Sequence, residues 1–510
     1  MKKEVRRSAK IITQTKSNIS TQTRVLLLLS MVFAAGMGIM MAIGLLGKIN
    51  INQTNNQVSS QINRIAYQTG WPVELRGTKF MWVGMVSPVV NDLENDGKKE
   101  LITLVQGNGE DHYGKMVILE HNGVVRSETL FDCYSGATRF PAIANLNDDP
   151  ELEIVVVCND YSSYYIDIYN YKGVLLNRFS VGYYIDSPDG YSGFALDDID
   201  GNGQPEIIFT GGSISNNGRN DLVVMDKEGR NLDNFPIIID DEQFAITQGP
   251  TVGLFSDFKK HIITITHYDI NVPLSVVRSF DNKGNLEWAT NIEGVSARSA
   301  VIGDINGDGK NEIAAVSQSG IYVLNQSGDI ILEKKIFSNM RHSNITLANL
   351  DKNPDLEIIF GYGLDLYAIK SDGRELFRYH SDWYVANPLV IADVNNDNKK
   401  EIIFSSDNDI YALDNRGRVI DGFPLPKRYS MYSAPSLYDI DGDGDIELID
   451  SANWGYDEEI SIGTIYVWDL AGDGASPWPT YQHDAGHTGS YDSRLDNQLI
   501  EQPSIPVIAE

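Results

Sequence analysis

The stretch "YDIDGDGDIELID" at residues 438–450 alternates acidic residues with glycines and apolar residues. Its D-x-D-x-D-G start, from Asp439, matches the beginning of an EF-hand calcium loop. No helical pattern flanks it, however, and its glutamate stands at position 9, whereas an EF-hand loop closes with a glutamate at about position 12. Apolar alternation before and after the loop instead indicates a β-hairpin with an acidic turn.

The same arrangement of side-chain oxygens at positions 1, 3, 5 and 9 occurs seven times, with starts 53, 53, 106, 45, 44 and 46 residues apart. The step of 106 predicts a copy that has lost its acidic chemistry near 250–266, where Asp257 is the remaining carboxylate. The candidate metal ligands are Asp92, Glu94, Asp96 and Glu100; Asn145, Asn147, Asp149 and Glu153; Asp198, Asp200, Asn202 and Glu206; Asp304, Asn306, Asp308 and Glu312; Asn349, Asp351, Asn353 and Glu357; Asp393, Asn395, Asp397 and Glu401; and Asp439, Asp441, Asp443 and Glu447.

A second pattern gives the number of repeats independently. Each unit contains two alternating apolar runs joined by a glycine turn, as in "IYVLNQSGDII" and "IYALDNRGRVI", and eight such hairpins can be counted. Units of this size with about four strands are typical of β-propeller blades. We therefore predict an all-β, eight-bladed β-propeller over residues 71–490, with a seven-bladed ring as the alternative. The segment 69–77 is similar to 421–429, so it is expected to complete the last blade.

The repeats resemble FG-GAP/VCBS repeats, which also form the propeller in the headpiece of integrin α chains. The resemblance covers roughly residues 70–490, and "SGFALDDIDGNG" at 192–203 comes near the full signature, although most copies lack the FG and GAP words. It implies calcium binding by each acidic loop between the first two strands of a blade. Calcium prefers six to eight hard oxygen ligands, which these loops offer. The alternative is an acidic Asx-type turn that holds no metal, and zinc is disfavoured because no Cys/His cluster accompanies the loops.

The N-terminal region differs in composition from the rest. Residues 25–47 carry no charge, and a helix of that length spans a bilayer. The basic segment 1–24 is expected to stay in the cytoplasm under the positive-inside rule, which places the propeller outside as a single-pass membrane protein. A cleaved signal peptide is the alternative. Residues 48–70 are expected to form a polar linker and 491–510 a flexible tail. The formal charge of −29 disfavours nucleic-acid binding.

The loops on the opposite face from the acidic turns are predicted to bind a ligand. They connect the second strand to the third and one blade to the next, and several are long and rich in aromatic residues. The candidate ligand-binding residues are His112, Tyr113, Tyr161, Tyr164, Tyr165, Tyr184, Trp383, Trp454 and Tyr456. Packing inside the propeller is the alternative for each of these side chains.

We therefore expect an extracytoplasmic, calcium-binding adhesion or binding module for protein or glycan ligands. A polysaccharide-acting enzyme similar to rhamnogalacturonan lyases is the alternative on the same scaffold, although no nucleophile, P-loop or zinc-protease motif is present. His483 and His487, in "YQHDAGHTG", are interpreted as structural parts of a ring-closing segment. Cys133 and Cys158 flank the first hairpin of the second unit, and the sequence leaves open whether they pair.

Overall fold

The computed structural model describes residues 65–491, apart from 77–81, 84–87, 107–113, 132–139, 148, 161–162, 182, 185–192, 214–218, 241–245, 248, 268–272, 297, 337–342, 429–433, 455–461 and 473–475. The segment 25–47, predicted to cross a membrane, lies outside the described residues. Among the described residues, no helix is long and apolar enough to cross a membrane. Regular structure in this part of the chain consists of β-strands.

The strands form eight antiparallel sheets, each of four or five strands, so the chain is an eight-bladed β-propeller. In blades 1 to 7 the four main strands follow one another in space as they do in sequence, and in every blade we name them A to D from the inside outward. The acidic loops connect strands A and B, as the sequence predicted. Additional two-residue strands pair with the far end of strand B in blades 1, 3 and 4.

The strands of blades 1 to 4 have the following bounds. Blade 1 contains β3 (Trp82–Val83), β4 (Val89–Asn91), β5 (Glu100–Gln106), β6 (Lys115–Leu119) and β7 (Val125–Leu130). Blade 2 contains β8 (Ala142–Ala144), β9 (Glu153–Asp160), β10 (Ser163–Tyr169) and β11 (Leu175–Val181). Blade 3 contains β12 (Tyr183–Tyr184), β13 (Phe194–Asp197), β14 (Glu206–Ser213), β15 (Arg219–Met225) and β16 (Ile237–Asp240). Blade 4 contains β17 (Ile246–Thr247), β18 (Thr251–Leu254), β19 (Lys260–His267), β20 (Leu274–Phe280) and β21 (Leu286–Glu293).

The strands of blades 5 to 8 have the following bounds. Blade 5 contains β22 (Val301–Gly303), β23 (Glu312–Ser317), β24 (Gly320–Leu324) and β25 (Ile330–Lys335). Blade 6 contains β26 (Thr346–Ala348), β27 (Glu357–Tyr362), β28 (Asp365–Ile369) and β29 (Glu375–His380). Blade 7 contains β30 (Val390–Ala392), β31 (Glu401–Ser406), β32 (Asp409–Leu413) and β33 (Leu425–Pro426). Blade 8 contains β34 (Ser436–Tyr438), β35 (Ile446–Trp454) and β36 (Ile462–Leu470), together with β1 (Ala66–Tyr67) and β2 (Val73–Arg76).

The N-terminal strands complete the last blade. Strand β2 pairs antiparallel with β36, with Val73 opposite Ile465, and so serves as strand D of blade 8. This confirms the role predicted for 69–77. Strand β1 pairs with the same strand, with Ala66 opposite Asp469, although it lies in the segment predicted as linker. Chain segments from opposite ends therefore share one sheet, which removes the exposed edge of an unfinished blade.

The hydrophobic core lies between neighbouring blades. Strands B and C are buried along most of their length, whereas strand D alternates exposed and covered residues, as in β25. Blade 8 packs against blade 1 through Trp71, Leu75 and Ile440, which meet Val90 and Leu119 in one apolar cluster. The innermost strands β34 and β4 also contact each other. The eighth blade is thus held to the first by the same apolar packing that joins the others, which closes the ring.

Candidate metal centres on the acidic loops

All seven acidic loops share one hydrogen bond, from the backbone N–H of position 2 to the glutamate at position 9. In blade 8 the N–H of Ile440 donates to Glu447 Oε2 at 2.7 Å, and in blade 3 that of Ile199 donates to Glu206 Oε2 at 2.8 Å. The corresponding acceptors in the other loops are Glu100, Glu153, Glu312, Glu357 and Glu401. This glutamate is the first residue of strand B in six loops and the second in blade 8, so rigid structure fixes its position.

The residue at position 1 divides the loops into two kinds. Where it is aspartate, one carboxylate oxygen accepts the N–H of position 6, as Asp198 does from Gly203 at 2.9 Å. Where it is asparagine, position 6 is proline, namely Pro150 or Pro354, which has no N–H to donate. The amide of Asn145 instead donates to the carbonyl of position 5. Asparagine at position 1 therefore suits a loop that has proline at position 6. Its side chain carries no negative charge, so it attracts a cation less than aspartate would.

Three groups of carboxylates in the described residues are close enough to hold a metal ion. They consist of Asp198, Asp200 and Glu206 in blade 3, Asp439, Asp441 and Glu447 in blade 8, and Asp443, Asp445 and Glu447 in the same loop. In each group, one oxygen from each residue lies within 4.8 Å of the others. Oxygen-only clusters of this kind suit calcium, whose ligands are carboxylates and carbonyls.

Four other loops carry their own hydrogen-bond or ionic partners. In blade 1, Arg126 Nη2 lies 2.8 Å from Glu100 Oε1 and 3.1 Å from Glu94 Oε1. In blade 6, Lys370 Nζ forms an ion pair with Asp351 and lies 3.8 Å from Glu357 Oε1. These two cationic side chains neutralise charge that a metal would otherwise balance.

Blades 2 and 4 use other chemistry for the same purpose. In blade 2 the amide of Asn147 donates to Glu153 Oε1 at 2.7 Å. In blade 4, whose loop is one residue shorter, the residue that corresponds to position 9 is His261. Its Nε2 lies 3.1 Å from Asp257 Oδ1 and its Nδ1 lies 2.8 Å from Glu287 Oε2. Blade 4 thus keeps the hairpin without the acidic cluster, as predicted from its lost carboxylates.

Burial dominates the electrostatics of the position-9 glutamates. Loss of hydration raises the pKa of Glu206 and of Glu312 to about 7 and that of Glu447 to about 9, because the ionised form is disfavoured away from water. The N–H that each receives, from Ile199, Ile305 and Ile440 respectively, opposes the shift without cancelling it. Glu447 Oε1 is moreover buried without a hydrogen-bond partner among the described residues. Such an oxygen is an energetic cost that a bound cation would remove.

The predicted ligand-binding residues differ in how far the structure exposes them, and several lie outside the described residues. Tyr164 is buried, and Tyr165 is partly covered, with the Arg178 guanidinium over its ring at 5.4 Å. The prediction that Tyr164 presents a ligand-binding surface is therefore wrong, because its ring packs into the core between blades 2 and 3. Trp383 is 48% exposed, on the segment between blades 6 and 7. His112, Tyr113, Tyr161 and Tyr456 lie outside the described residues, as do the side chains of Tyr184 and Trp454.

A C-terminal segment, residues 476–491, lines the inner edge of the ring, and we call it the collar. Its carbonyls accept N–H groups from strand A of successive blades: Trp478 from Ile391 in blade 7, Pro479 from Leu437 in blade 8, Ala485 from Ile143 in blade 2, Gly486 from Leu196 in blade 3, Thr488 from Val252 in blade 4, and Gly489 from Ile302 in blade 5. The prediction that this segment closes the ring is confirmed, but its contact with six blades was not foreseen. Tyr491, the first residue of the predicted flexible tail, is buried at its end.

The two collar histidines are buried among aromatic rings. His487 lies edge-on to Tyr481 at 5.3 Å, and burial lowers its pKa to about 4, so it stays neutral near pH 7. His483 packs against Trp478 at 5.1 Å, and its Nδ1 lies 3.3 Å from Asp484 Oδ2. Their surroundings agree with a structural role.

Cys158 is buried and disulfide-bonded. The chain has one other cysteine, Cys133, which lies outside the described residues.

Neither a family model nor a curated protein matches this sequence. Among solved structures, the chain is similar to the Vibrio cholerae biofilm matrix protein Bap1, with 14% identity over 84% of this chain and 96% of that one and a TM-score of 0.41. It is also similar to BBS1N in complex with ARL6DN (11% identity, 78% and 97% coverage, TM-score 0.42) and to a streptogramin B lyase (13%, 64% and 93%, TM-score 0.37). Similarities at this level carry no argument about function.

Proposed function

We propose that this chain is an extracytoplasmic propeller of the FG-GAP/VCBS type, stabilised by calcium and serving as a binding or adhesion module for a protein or carbohydrate ligand. The observation that carries the calcium part is the carboxylate cluster of Asp439, Asp441 and Glu447. Glu447 brings to this cluster a fully buried oxygen with no hydrogen-bond partner among the described residues. A divalent cation would balance the clustered charge and cross-link strands A and B.

The proposal assigns calcium to blades 3, 5 and 8 first. Blade 5 offers Asp304, Asn306, Asp308 and Glu312. The part of the chain that the structure describes shows no arginine, lysine or histidine ion pair to these side chains, unlike those of blades 1, 6 and 4. Blade 7 is a weaker site because Lys399 forms an ion pair at 2.6 Å with Asp397, its position-5 ligand. Loops with an internal cation are expected to hold their shape without metal.

Calcium should raise the stability of the chain, and one substitution should remove part of that gain. Each ion is expected to contribute about 2.7 kcal/mol when free calcium is 100-fold above the dissociation constant. Asp439→Asn should reduce the bound calcium by at least one ion per chain, measured by atomic emission after desalting. Asp351→Asn in blade 6 is the matched control, because Lys370 already neutralises that carboxylate. A parent chain that binds no calcium, and whose melting is the same with calcium and with EGTA, would contradict the proposal.

Stability without calcium should fall as pH rises. The folded chain holds Glu206, Glu312 and Glu447 with pKa values of about 7 to 9, above the usual value near 4.3. Folding therefore favours their protonated form, and the stability they contribute is complete below about pH 4 and is lost as pH passes through 7 to 9. Melting temperatures measured from pH 5 to 9 in EGTA should decline more steeply than those in calcium. Parallel declines would show that these glutamates do not bind the metal.

Extracytoplasmic placement is supported by the disulfide at Cys158, since such bonds persist in oxidising compartments. The apolar run 25–47 would then serve as the membrane anchor proposed from its length and its basic flank.

The ligand-binding surface that we propose includes the segment between blades 6 and 7. Trp383 and Tyr384 are 48% and 41% exposed, and their rings meet at 5.9 Å with an interplanar angle of 75°. Tyr379 and Tyr411, whose rings lie 6.1 Å apart, are partly exposed near Asp382. Exposed aromatic rings beside an acidic group suit the stacking and hydrogen bonding by which proteins hold sugars and peptide side chains.

A screen of glycans and surface proteins against the full chain tests this part. We expect Trp383→Ala to weaken binding of any ligand found by about 2 kcal/mol or more, because aromatic anchors dominate interfaces. Phe258→Ala is the control, because Phe258 is 85% exposed but lies in the turn between strands A and B of blade 4, on the opposite face. Equal losses from both variants, or loss from Phe258→Ala alone, would place the ligand elsewhere.

A further inference from the structure

The blade 8 loop has an aspartate at position 7, a residue type that it shares there with the blade 6 loop. The residues there are Lys98, Glu151, Gln204, Lys310, Asp355, Lys399 and Asp445 in blades 1, 2, 3, 5, 6, 7 and 8. Asp445 lies with Asp443 and Glu447 in a carboxylate group that is distinct from Asp439 and Asp441. One glutamate is therefore shared by two groups of acidic ligands in a single turn.

Buried oxygens in this second group have no hydrogen-bond partner. Asp445 Oδ1 and Glu447 Oε1 are both inaccessible to solvent and lack a donor among the described residues, and the whole Glu447 residue is 0% exposed. Carboxylate oxygens packed together repel one another unless a proton or a cation lies between them. The Asp445 oxygen is independent of the D-x-D-x-D-G pattern, since position 7 contributes no side chain to that pattern.

The surroundings add negative charge to this group. Asp469 lies directly opposite Glu447 in the pairing of strands β35 and β36, and its charge interacts with Asp441 and Asp443. Lys99 brings a positive charge nearby, and its ammonium group donates a hydrogen bond to the backbone carbonyl of Asp439 at 2.9 Å. The amide of Gln68 donates to Asp441 Oδ2 at 2.9 Å, on the side of the first group.

Blade 6 shows how an acidic residue at position 7 is satisfied without metal. Asp355 Oδ2 accepts a hydrogen bond from Ser371 Oγ at 2.9 Å. Lys370, which follows strand C of that blade, forms an ion pair with Asp351 and lies 3.8 Å from Glu357 Oε1, an oxygen without a hydrogen-bond partner among the described residues. In blade 8, strand C places Asp469 opposite the position-9 glutamate, so the lysine of blade 6 is replaced by another acid.

We propose that the blade 8 loop binds two divalent cations that share Glu447, with Asp439 and Asp441 at the first and Asp443 and Asp445 at the second. Hard oxygen ligands of this kind suit calcium. This inference rests on the proposed calcium binding at the first group. Two ions would then link the residues of this turn to the start of strand B. The turn lies in the blade that the N-terminal strands complete.

Calcium stoichiometry of the full chain tests the inference, measured by atomic emission and by calorimetric titration. Asp445→Asn, which keeps the shape of the side chain, should bind one ion fewer than the parent and should retain the others. Asp443→Asn should also lose one ion, and it serves as the second variant if Asp445→Asn does not fold. Asp355→Asn in blade 6 is the matched control and should leave the number unchanged.

The outcomes separate this inference from the proposed function. A parent chain that binds calcium, together with an unchanged number of ions in Asp445→Asn and Asp443→Asn, would mean that one ion occupies the loop, and only the second site would be overturned. A parent that binds no calcium would overturn both proposals. Loss of one ion in Asp445→Asn, with Asp355→Asn unchanged, supports the shared site.

Discussion

Trp478→Ala is expected to lower the free energy of unfolding by about 3–5 kcal/mol, the usual cost of removing a buried tryptophan side chain. Trp478 is 2% exposed and belongs to the apolar cluster formed by blades 5, 6 and 7. Its ring stacks with Tyr491 at 6.4 Å and meets His483 edge-on at 5.1 Å. Removing it would leave a cavity at the inner edge of the ring, where the collar cannot easily collapse because its backbone is bonded to successive blades.

Trp383→Ala is the matched control for this prediction. The same side chain is removed there from a position that is 48% exposed, so the change in free energy should be far smaller. Chemical denaturation followed by far-ultraviolet circular dichroism would compare the two variants with the parent. Equal losses of stability in both variants would show that the packing of Trp478 in the collar contributes no more to the fold than an exposed side chain does.

The collar illustrates what the sequence could not supply. It has no strand or helix periodicity, and most of its hydrogen bonds to the blades are made by backbone carbonyl groups, which every residue possesses. Residue type therefore gives little indication of its path. The stretch "YQHDAGHTG" predicted a ring-closing segment, but it did not indicate which blades that segment contacts.

The blades themselves were predictable because their determinants are local. Alternating apolar residues and glycine turns define each hairpin within about fifty residues, and the period then sets the blade number. The N-terminal strand of blade 8 could be predicted because "WPVEL" at 71–75 is similar to "FPLPK" at 423–427. Both segments precede strand A of a blade, and a comparison within the sequence detects that. The structure adds β1, whose pairing begins before that similarity.

The acidic loops were only partly predictable. Pro150 and Pro354 at position 6 could have been used to separate the asparagine loops, because proline removes a donor that aspartate at position 1 requires. Arg126 and Lys370 could not be assigned to their loops without strand register, since they lie 26 residues from Glu100 and 13 residues from Glu357 in sequence. The pairing of strands in the folded blade therefore decides which loops have a cationic side chain and which are left to bind a metal.

Asp450→Ala should be among the most damaging single substitutions, at about 3–5 kcal/mol, because it leaves a buried cation without its partner. Lys427 Nζ lies 2.6 Å from Asp450 Oδ2, and both side chains are 0% exposed. Asp450 also accepts hydrogen bonds from Ser405 Oγ and from the N–H of Ser451. The pair joins the end of blade 7 to strand B of blade 8, next to the completed blade.

Replacing both partners distinguishes an unpaired charge from lost packing. The double variant Lys427→Met, Asp450→Leu should recover most of the stability lost in Asp450→Ala, since apolar pairs of similar volume often replace buried ion pairs without loss. Lys335→Ala is the surface control. Its ammonium lies 2.8 Å from Glu293, with the two side chains 45% and 52% exposed, and exposed pairs contribute at most about 1 kcal/mol. A double variant as unstable as Asp450→Ala would show that the hydrogen bonds to Ser405 and Ser451, and not the buried charge, determine the loss.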